Sequence, residues 1–302
     1  MNLIEFLQDI SIKGWQVWSE NERLCYDAPQ EESTPLVLAR LKQQKTEILQ
    51  LLREQPDILN VYPLSYGQQA LWFLWKLAPL SHAYNVSFAA SVCSEVDVTA
   101  MQKAFKALIE RHPILRTNYP KLGTEPIQHV HSFQELDFRQ IDASSWTEDR
   151  LKAQVDEAHQ QHFDLETGSV MRVRWFTRFK REHILLLTMH HIACDGWSLD
   201  ILMQEMSKLY SEQLLDTNSS LPLIKHSYQD YVNWQRKILC GDRGEKLWSY
   251  WQHKLNGHLP ALNLPTDKQR PPIQTYNGAS IKFKLSSKLT SQLKELAQKE
   301  RA

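Results

Sequence analysis

The sequence predicts a mixed fold of the α+β or α/β layered kind: a small ααββ-type unit at the N-terminus, then a larger lobe of interleaved strands and helices. Three observations lead there. Helical and alternating apolar patterns succeed one another along the chain, with no internal repeat and no low-complexity tract. A length of 302 residues suits two domains at roughly 100–200 residues each. Pro56 and Pro63 bracket the segment DILNVY, and proline there ends helices and stiffens a linker. The expected division is residues 1–57, a linker at 58–63, and residues 64–302.

In the first unit, Leu3, Ile4, Leu7 and Ile10 lie at helical spacing and Gly14 stops that helix. Trp15–Ser19 and Arg23–Tyr26 alternate on either side of Glu20-Asn21-Glu22, which is a hairpin pattern. Thr34 then caps a helix whose first position is Pro35. Leu36, Leu38, Leu41, Ile48, Leu51 and Leu52 carry one or two amphipathic helices to Glu54. So small a unit buries little surface and is marginal alone, which favours a partner, a second copy included. The hairpin has an edge that can accept another chain's backbone. A helical cap without any partner fits the same pattern.

The larger part opens with Ser65 ahead of the helical stretch YGQQALWFLWKL. Tyr84–Ser94 reads as a strand. Met101, Ala104, Phe105 and Leu108 mark a helix ending at Arg111-His112-Pro113, and Leu115–Tyr119 reads as a short strand. Residues 147–164 are helical and polar. Val170–Phe176 alternates, and the apolar run Ile184–Met189 suits a strand buried on both faces. Leu199, Leu202, Met206, Leu209 and Tyr210 define the next helix. At the end, Ile281–Leu285 reads as a strand and Ser287–Ala302 as an amphipathic helix that stops without a terminator, so a further element is expected to follow.

Composition excludes several classes. Thirty-five basic residues balance thirty-five acidic ones, which gives no sign of a nucleic-acid or anionic-membrane partner. No apolar run approaches the ~20 residues of a membrane span, and the N-terminus has no basic region ahead of an apolar core, so it does not read as a signal peptide. The four cysteines, Cys25, Cys93, Cys194 and Cys240, form no C-x-x-C pair and read as reduced thiols of a cytoplasmic protein. Neither G-x-G-x-x-G nor G-x-x-x-x-G-K occurs among nine glycines, which argues against a dinucleotide site and a P-loop.

The strongest cluster for chemistry is Met189-His190-His191-Ile192-Ala193-Cys194-Asp195-Gly196-Trp197-Ser198. A buried strand ends at His190, a tight loop follows, and Ser198 is placed to cap a helix. Such a strand end holds functional side chains rigidly, and imidazole moves protons near neutral pH. Histidines at a strand end can equally be hydrogen-bonded core. A metal site is not expected, since H-E-x-x-H and a third ligand at suitable spacing are lacking. The pairs His129/His131 and His159/His162 read as solvated surface. No G-x-S-x-G elbow supports a nucleophilic serine, so His191 would act directly on an attacking group.

H-H-x-x-x-D-G at 190–196 resembles the signature of nonribosomal peptide synthetase condensation domains and of the wider chloramphenicol-acetyltransferase-like acyltransferases. Three more stretches resemble family motifs in the family's order: Ser65-Tyr66-Gly67-Gln68-Gln69-Ala70-Leu71-Trp72-Phe73-Leu74, Arg111-His112-Pro113-Ile114-Leu115-Arg116-Thr117, and Tyr228-Gln229-Asp230-Tyr231-Val232-Asn233-Trp234. Departures are small. Ala70 stands where the family usually has arginine, Pro113 where glutamate is common, and Cys194 in a variable slot often held by serine, which blurs the subtype. Residues 1–55 resemble the tubulysin-type N-terminal docking domain through L-x-x-x-G-W-x-V-W, L-x-Y-x-A-P and K-x-E-I-L-x-L-L.

The resemblance implies a docking domain followed by the first of two acetyltransferase-like lobes, the second only begun, and hence a fragment that folds yet is inactive alone. It implies that a carrier-bound acyl or peptidyl thioester condenses with a carrier-bound aminoacyl amine to form an amide. The substrates arrive on phosphopantetheine arms, so no cofactor is bound directly. His191 would act on the amine and His190 would support the loop. Asp195 would pair with an arginine, Arg111 or else Arg116, and Gly196 would leave room for the donor thioester. The docking hairpin, Trp15, Gln16, Val17 and Trp18 with Arg23, Leu24, Cys25 and Tyr26, would receive a C-terminal segment of the upstream subunit. Partners implied are that subunit and the upstream and downstream carrier proteins, with a homodimer through the docking domain as a further option. An epimerisation-type relative, a coenzyme A acyltransferase and a non-catalytic recruitment module are the competing readings.

Overall fold

A computed structural model describes the chain except residues 1, 21, 30–34, 55, 56, 218–220, 270, 273, 274, 277, 280, 282 and 302. Two compact units result, residues 1–256 and 257–302. The cap expected at Thr34, the turn residue Asn21 and the boundary residue Pro56 lie outside the described residues.

The N-terminal part is built from α1 (Leu3–Ile12), β1 (Gln16–Glu20), β2 (Arg23–Asp27), α2 (Pro35–Gln43) and α3 (Lys45–Glu54). Asn2 and Glu5 form a reciprocal capping box that starts α1, and Gly14 ends it at a φ of 91° that favours glycine. The hairpin pairs Gln16 with Asp27 through Glu20 with Arg23, and neither outer edge is paired among the described residues. Phe6, Leu7, Ile10, Trp15, Val17, Leu41 and Ile48 form its core. Ile4, expected on the apolar stripe, is exposed instead.

Segment 58–63, expected as a linker, carries strand β3 (Val61–Pro63). Gln8 and Ser11 of α1 donate to the carbonyls of Ile58 and Leu59, at 3.3 and 2.9 Å. The Asp57 carboxylate accepts from the backbone N–H and the hydroxyl of Ser132, both at 2.8 Å. The first unit thus continues into the lobe through bonded backbone.

The lobe adds α4 (Tyr66–Leu77), β4 (Asn85–Val92), α5 (Val98–Arg111), a 3-10 turn (Pro113–Arg116), β5 (Thr117–Asn118), β6 (Lys121–Leu122), β7 (Glu125–Val130), β8 (Asp137–Asp142), α6 (Glu148–Gln160), β9 (Met171–Phe179), β10 (Glu182–His190), α7 (Gly196–Leu215), α8 (Tyr228–Leu239) and α9 (Asp242–Lys254). One sheet runs β4-β10-β9-β8, antiparallel except for the parallel β8–β9 pair. A second sheet joins β3, β7 and β5, with β6 on β7. The strand expected at Leu115–Tyr119 is shorter because Pro113, with its fixed φ, starts a 3-10 turn that takes up Leu115 and Arg116. β9 and β10 are both buried on two faces, so the alternation at 170–176 does not correspond to an inside and an outside. α5 and α7 cover one face of the sheet around Phe105, Trp175 and Leu187, and α6 packs with Phe176 and Leu186 on the other.

In the second unit, α10 (Ser287–Glu300) is capped by Ser286 and buries no residue. The strand expected at Ile281–Leu285 does not form among its described residues. Ile281 and Phe283 are exposed there, and no strand pairs with them.

Candidate active site and docking surface

β10 ends at His190 because the chain there leaves the sheet for α7, and the two imidazoles part company. His190 is buried, its ring edge-on to Phe163, and its Nδ1 accepts from the Ile192 N–H at 3.1 Å. Burial, with His191 adjacent, pushes it down to about 4 and leaves it neutral at pH 7. His190 thus sits within the packing of the loop itself. His191 is exposed. Its N–H donates to the carbonyl of Tyr84 at 2.9 Å. Its Nδ1 lies 2.6 Å from the carbonyl oxygen of Cys194. A carbonyl only accepts, so Nδ1 carries the proton and Nε2 of the neutral ring presents a lone pair.

The other site residues stand as follows. Asp195 does not pair with arginine among the described residues. It is the N-cap of α7: its Oδ1 accepts from the Ser198 N–H at 2.8 Å and hydroxyl at 2.7 Å, while the Asp195 N–H donates to the Ser198 hydroxyl at 3.2 Å. Those bonds hold the carboxyl below the usual range. Ser198, expected as the cap, is instead its reciprocal partner at the third helical position. Arg111, the arginine expected for Asp195, donates from Nε to Glu205 at 3.1 Å, beside His112 Nε2 at 2.6 Å from the same oxygen. Burial would raise the Glu205 carboxyl, but His112 and Arg111 together hold it low. Arg116 donates to the His131 carbonyl at 2.7 Å and stitches the 3-10 turn to the end of β7. A Cβ at Gly196 would meet nothing within 4 Å, so space adjoins the loop there. Burial pushes the Cys194 thiol up to about 12.

Of the histidine pairs expected as solvated surface, only His162 is exposed. His129 Nε2 donates to the Asp57 carbonyl at 3.0 Å, and His159 Nδ1 lies 2.6 Å from the Ser87 hydroxyl. No group of three metal-ligating side chains occurs among the described residues.

Residues to which the sequence pattern assigns no role complete the loop's surroundings. Gln68 is buried and its Nε2 reaches the Ile192 carbonyl at 3.3 Å, while Ser65 and Tyr228 are joined hydroxyl to hydroxyl at 2.9 Å. The S-x-x-Q capping-box pattern points to Ser65 and Gln68, and all three residues, Tyr228 included, lie within the first and fourth motif stretches, but neither signal shows that they meet.

At the other end, alternation along β1 divides the hairpin residues. Trp15 and Val17 pack against the helical core and are buried; Gln16, Trp18, Arg23 and Tyr26 are exposed, with Leu24 and Cys25 half-buried. A groove of about 600 Å³ runs beside β1, lined by Gln16, Trp18, Asn60, Tyr62 and Asn233 among others. No helix among the described residues is long and apolar enough to cross a membrane.

Comparisons with known proteins agree with both halves. The condensation-domain model matches residues 58–302, and the TubC N-terminal docking-domain model matches residues 3–54. A linear gramicidin synthase polypeptide of Brevibacillus parabrevis is 35% identical over 287 residues, 92% of this chain and 4% of that protein. Bacitracin synthase 2 of Bacillus licheniformis is 34% identical over 267 residues, 88% of this chain and 10% of that protein. The chain thus spans a small fraction of the length of these curated relatives. The X-domain from teicoplanin biosynthesis superposes at a TM-score of 0.69 with 26% identity, covering 80% of this chain and 53% of that one. The starter condensation domain of rhizomide synthetase RzmA superposes at 0.60 with 18% identity, covering 66% and 49%, and shares the chloramphenicol-acetyltransferase-like fold. The chain belongs to the condensation-domain family of nonribosomal peptide synthetases and carries a TubC-type docking domain ahead of that domain.

Proposed function

We propose that this chain is the docking and condensation region of a synthetase subunit, and that His191 serves amide formation. The single observation that carries the reading is the exposed His191 ring, fixed at Nδ1 by the Cys194 carbonyl with Nε2 left as an acceptor. Two carrier proteins would bring an acyl or peptidyl thioester and an aminoacyl thioester on phosphopantetheine arms. The amine nitrogen of the acceptor attacks the donor carbonyl; a C–N bond forms and the C–S bond breaks. The amine gives up one proton and the departing thiolate takes one up. Nε2 accepts the hydrogen of the amine, which aligns the lone pair for attack and holds the proton until the sulfur collects it. Holding both tethered reactants together removes much of the entropic barrier. His190 and Asp195 support the loop, and Gly196 leaves space for the donor.

The docking domain, residues 1–57, would select the upstream subunit by strand addition along the open hairpin. Residues 58–63 join it to the condensation region that begins at residue 64. An upstream C-terminal segment in extended form is the partner this edge suits.

The test is amide formation between donor- and acceptor-loaded carrier proteins by the complete subunit. His191→Ala should lower the rate by about 10²–10⁴-fold, the range of general acid–base contributions, with the circular dichroism spectrum unchanged. Unchanged turnover would refute the assignment. One comparison favours a second reading, recruitment without catalysis: an X-domain from teicoplanin biosynthesis, solved as a complex with OxyB, superposes at a TM-score of 0.69. On that reading wild type and His191→Ala form amide equally poorly.

A further inference from the structure

Four ordered motifs surround the site, and the proposed chemistry uses only the third. The side chain of Gln68 connects the rest. It sits at the third position of α4 and is 2% exposed. Its Oε1 accepts from the Ser65 N–H at 3.0 Å. Its Nε2 has three acceptors in reach: the Ile192 carbonyl at 3.3 Å, Gln128 Oε1 at 3.2 Å and the Tyr119 hydroxyl at 3.4 Å. The Ser65 hydroxyl accepts from the Gln68 N–H at 3.1 Å and meets the Tyr228 hydroxyl at 2.9 Å. Gln128 in turn donates to the Pro63 carbonyl at 2.8 Å. A residue of the first motif thereby reaches the third motif at Ile192 and, through Ser65, the fourth at Tyr228. Tyr119, which joins it, lies just past the second.

Ile192 is the residue immediately after His191, and both its backbone groups are held. Its N–H donates to His190 Nδ1 at 3.1 Å and its carbonyl accepts from Gln68 at 3.3 Å. Its side chain is buried with Leu64, Trp72, Trp75 and Phe163. Inside a packed core such a polar network admits few alternative arrangements, because a buried amide without partners is costly. With the following peptide clamped and the Tyr84 carbonyl holding its own N–H, His191 has little freedom in its backbone.

We infer that Gln68 is a positioning residue for His191: by clamping the Ile192 carbonyl it fixes the direction in which Nε2 of the neighbouring imidazole points. The inference deepens the reading of His191 as the group that meets the amine, and rests on it for its catalytic consequence.

The experiment compares wild type with Gln68→Met, which keeps length and volume without polar atoms, and Gln68→Glu, which keeps the acceptor for Ser65 and removes the amide donor. The readout is the imidazole nitrogen NMR signature of His191, which distinguishes a proton on Nδ1 from one on Nε2. With the buffer kept at a pH where the ring is neutral, wild type should show the Nδ1–H tautomer. Both variants should show mixed or exchange-broadened forms. Leu151→Ala, a destabilising change in the separate cluster beneath α6, should leave the signature as in wild type. In the condensation assay kcat should drop by about a hundredfold while KM for the carriers stays put, as expected when a reacting group is misplaced by about 1 Å. A wild-type His191 signature in either folded variant overturns the inference, and so does an equal disturbance in Leu151→Ala. Full turnover by His191→Ala would sink the chemical reading of His191 while leaving the spectroscopic result on Gln68 standing.

Discussion

The imidazole of His191 donates from Nδ1 to the carbonyl oxygen of Cys194, 2.6 Å away. The bond uses only backbone at residue 194, so the side chain there is free to vary without changing the tautomer. The thiol is buried and pushed up to about 12, which leaves almost no thiolate at neutral pH. Alkylating reagents should therefore label the exposed Cys93 and Cys240 first and spare Cys194 in the native protein, as mass spectrometry of tryptic peptides can follow. Cys194→Ala should cost about 1 kcal/mol of stability and preserve amide formation. Loss of activity on native-state alkylation at Cys194 would contradict this.

His190 makes stability depend on pH. Its imidazole is held down to about 4 by burial, with His191 beside it, whereas the unfolded chain binds a proton near ~6.5. The unfolded state therefore holds more protons between those values. Stability from this group is complete above pH ~6.5 and is lost as pH falls toward about 4. The displacement corresponds to about 3 kcal/mol. His190→Asn, whose carbonyl can still accept from Ile192 N–H, should flatten the unfolding free energy across that window in urea titrations. Parallel wild-type and variant curves would show that residue 190 is not the titrating group.

The start of α7 gives a pair of contrasting expectations. Asp195 caps the helix through Ser198 and forms no arginine pair among the described residues, so Asp195→Ala should lower stability by about 1 kcal/mol, the typical value of an N-cap, and not by the larger loss that follows orphaning a buried arginine. Asp195→Ser should recover most of it. Gly196→Ala should leave stability within about 0.5 kcal/mol, because the added methyl meets nothing. A fall in amide formation by that variant would then report substrate passage through the space beside the loop, measured as a rise in KM for donor-loaded carrier.

Local features were legible in the sequence to the extent that their causes are local. The helix starts at Ser65 and at Pro35, the hairpin between Trp15 and Tyr26, and the buried strand ending at His190 all follow from spacing, capping residues and apolar runs. The arginine expected beside Asp195 lies elsewhere for a different reason. Opposite charges in a sequence state no distance, and Arg111 finds its carboxylate at Glu205, three turns into α7 and 94 positions away. Ile281–Leu285 has the alternation of a strand, but a strand also needs a neighbour, and the described residues supply none. The Gln68 network was invisible because three of its partners come from other elements, brought together only by the packing of α4 on the second sheet and the His191 loop.

The join between docking domain and lobe is the remaining place where structure exceeds the linear pattern. Segment 58–63 looks like a tether, yet Val61–Pro63 pairs with β7, Ile58 and Val61 are buried, and Asp57 is bonded to Ser132 and His129. A flexible tether would let the hairpin sample many directions, whereas a bonded join holds it in one; on the proposed function, that would fix the direction from which an upstream carrier approaches. Asp57→Ala removes both bonds to Ser132, which are solvent-exposed and together worth on the order of 1 kcal/mol, while leaving Gln8 and Ser11 in place. Backbone nitrogen relaxation should then give residues 3–54 a shorter rotational correlation time than the lobe, where the wild-type protein gives both the same value. Docking affinity for an isolated upstream segment should be unaltered, since the hairpin itself is intact, but carrier-to-carrier transfer should slow. Independent tumbling of the docking domain in the wild-type protein would mean that this join does not hold in solution.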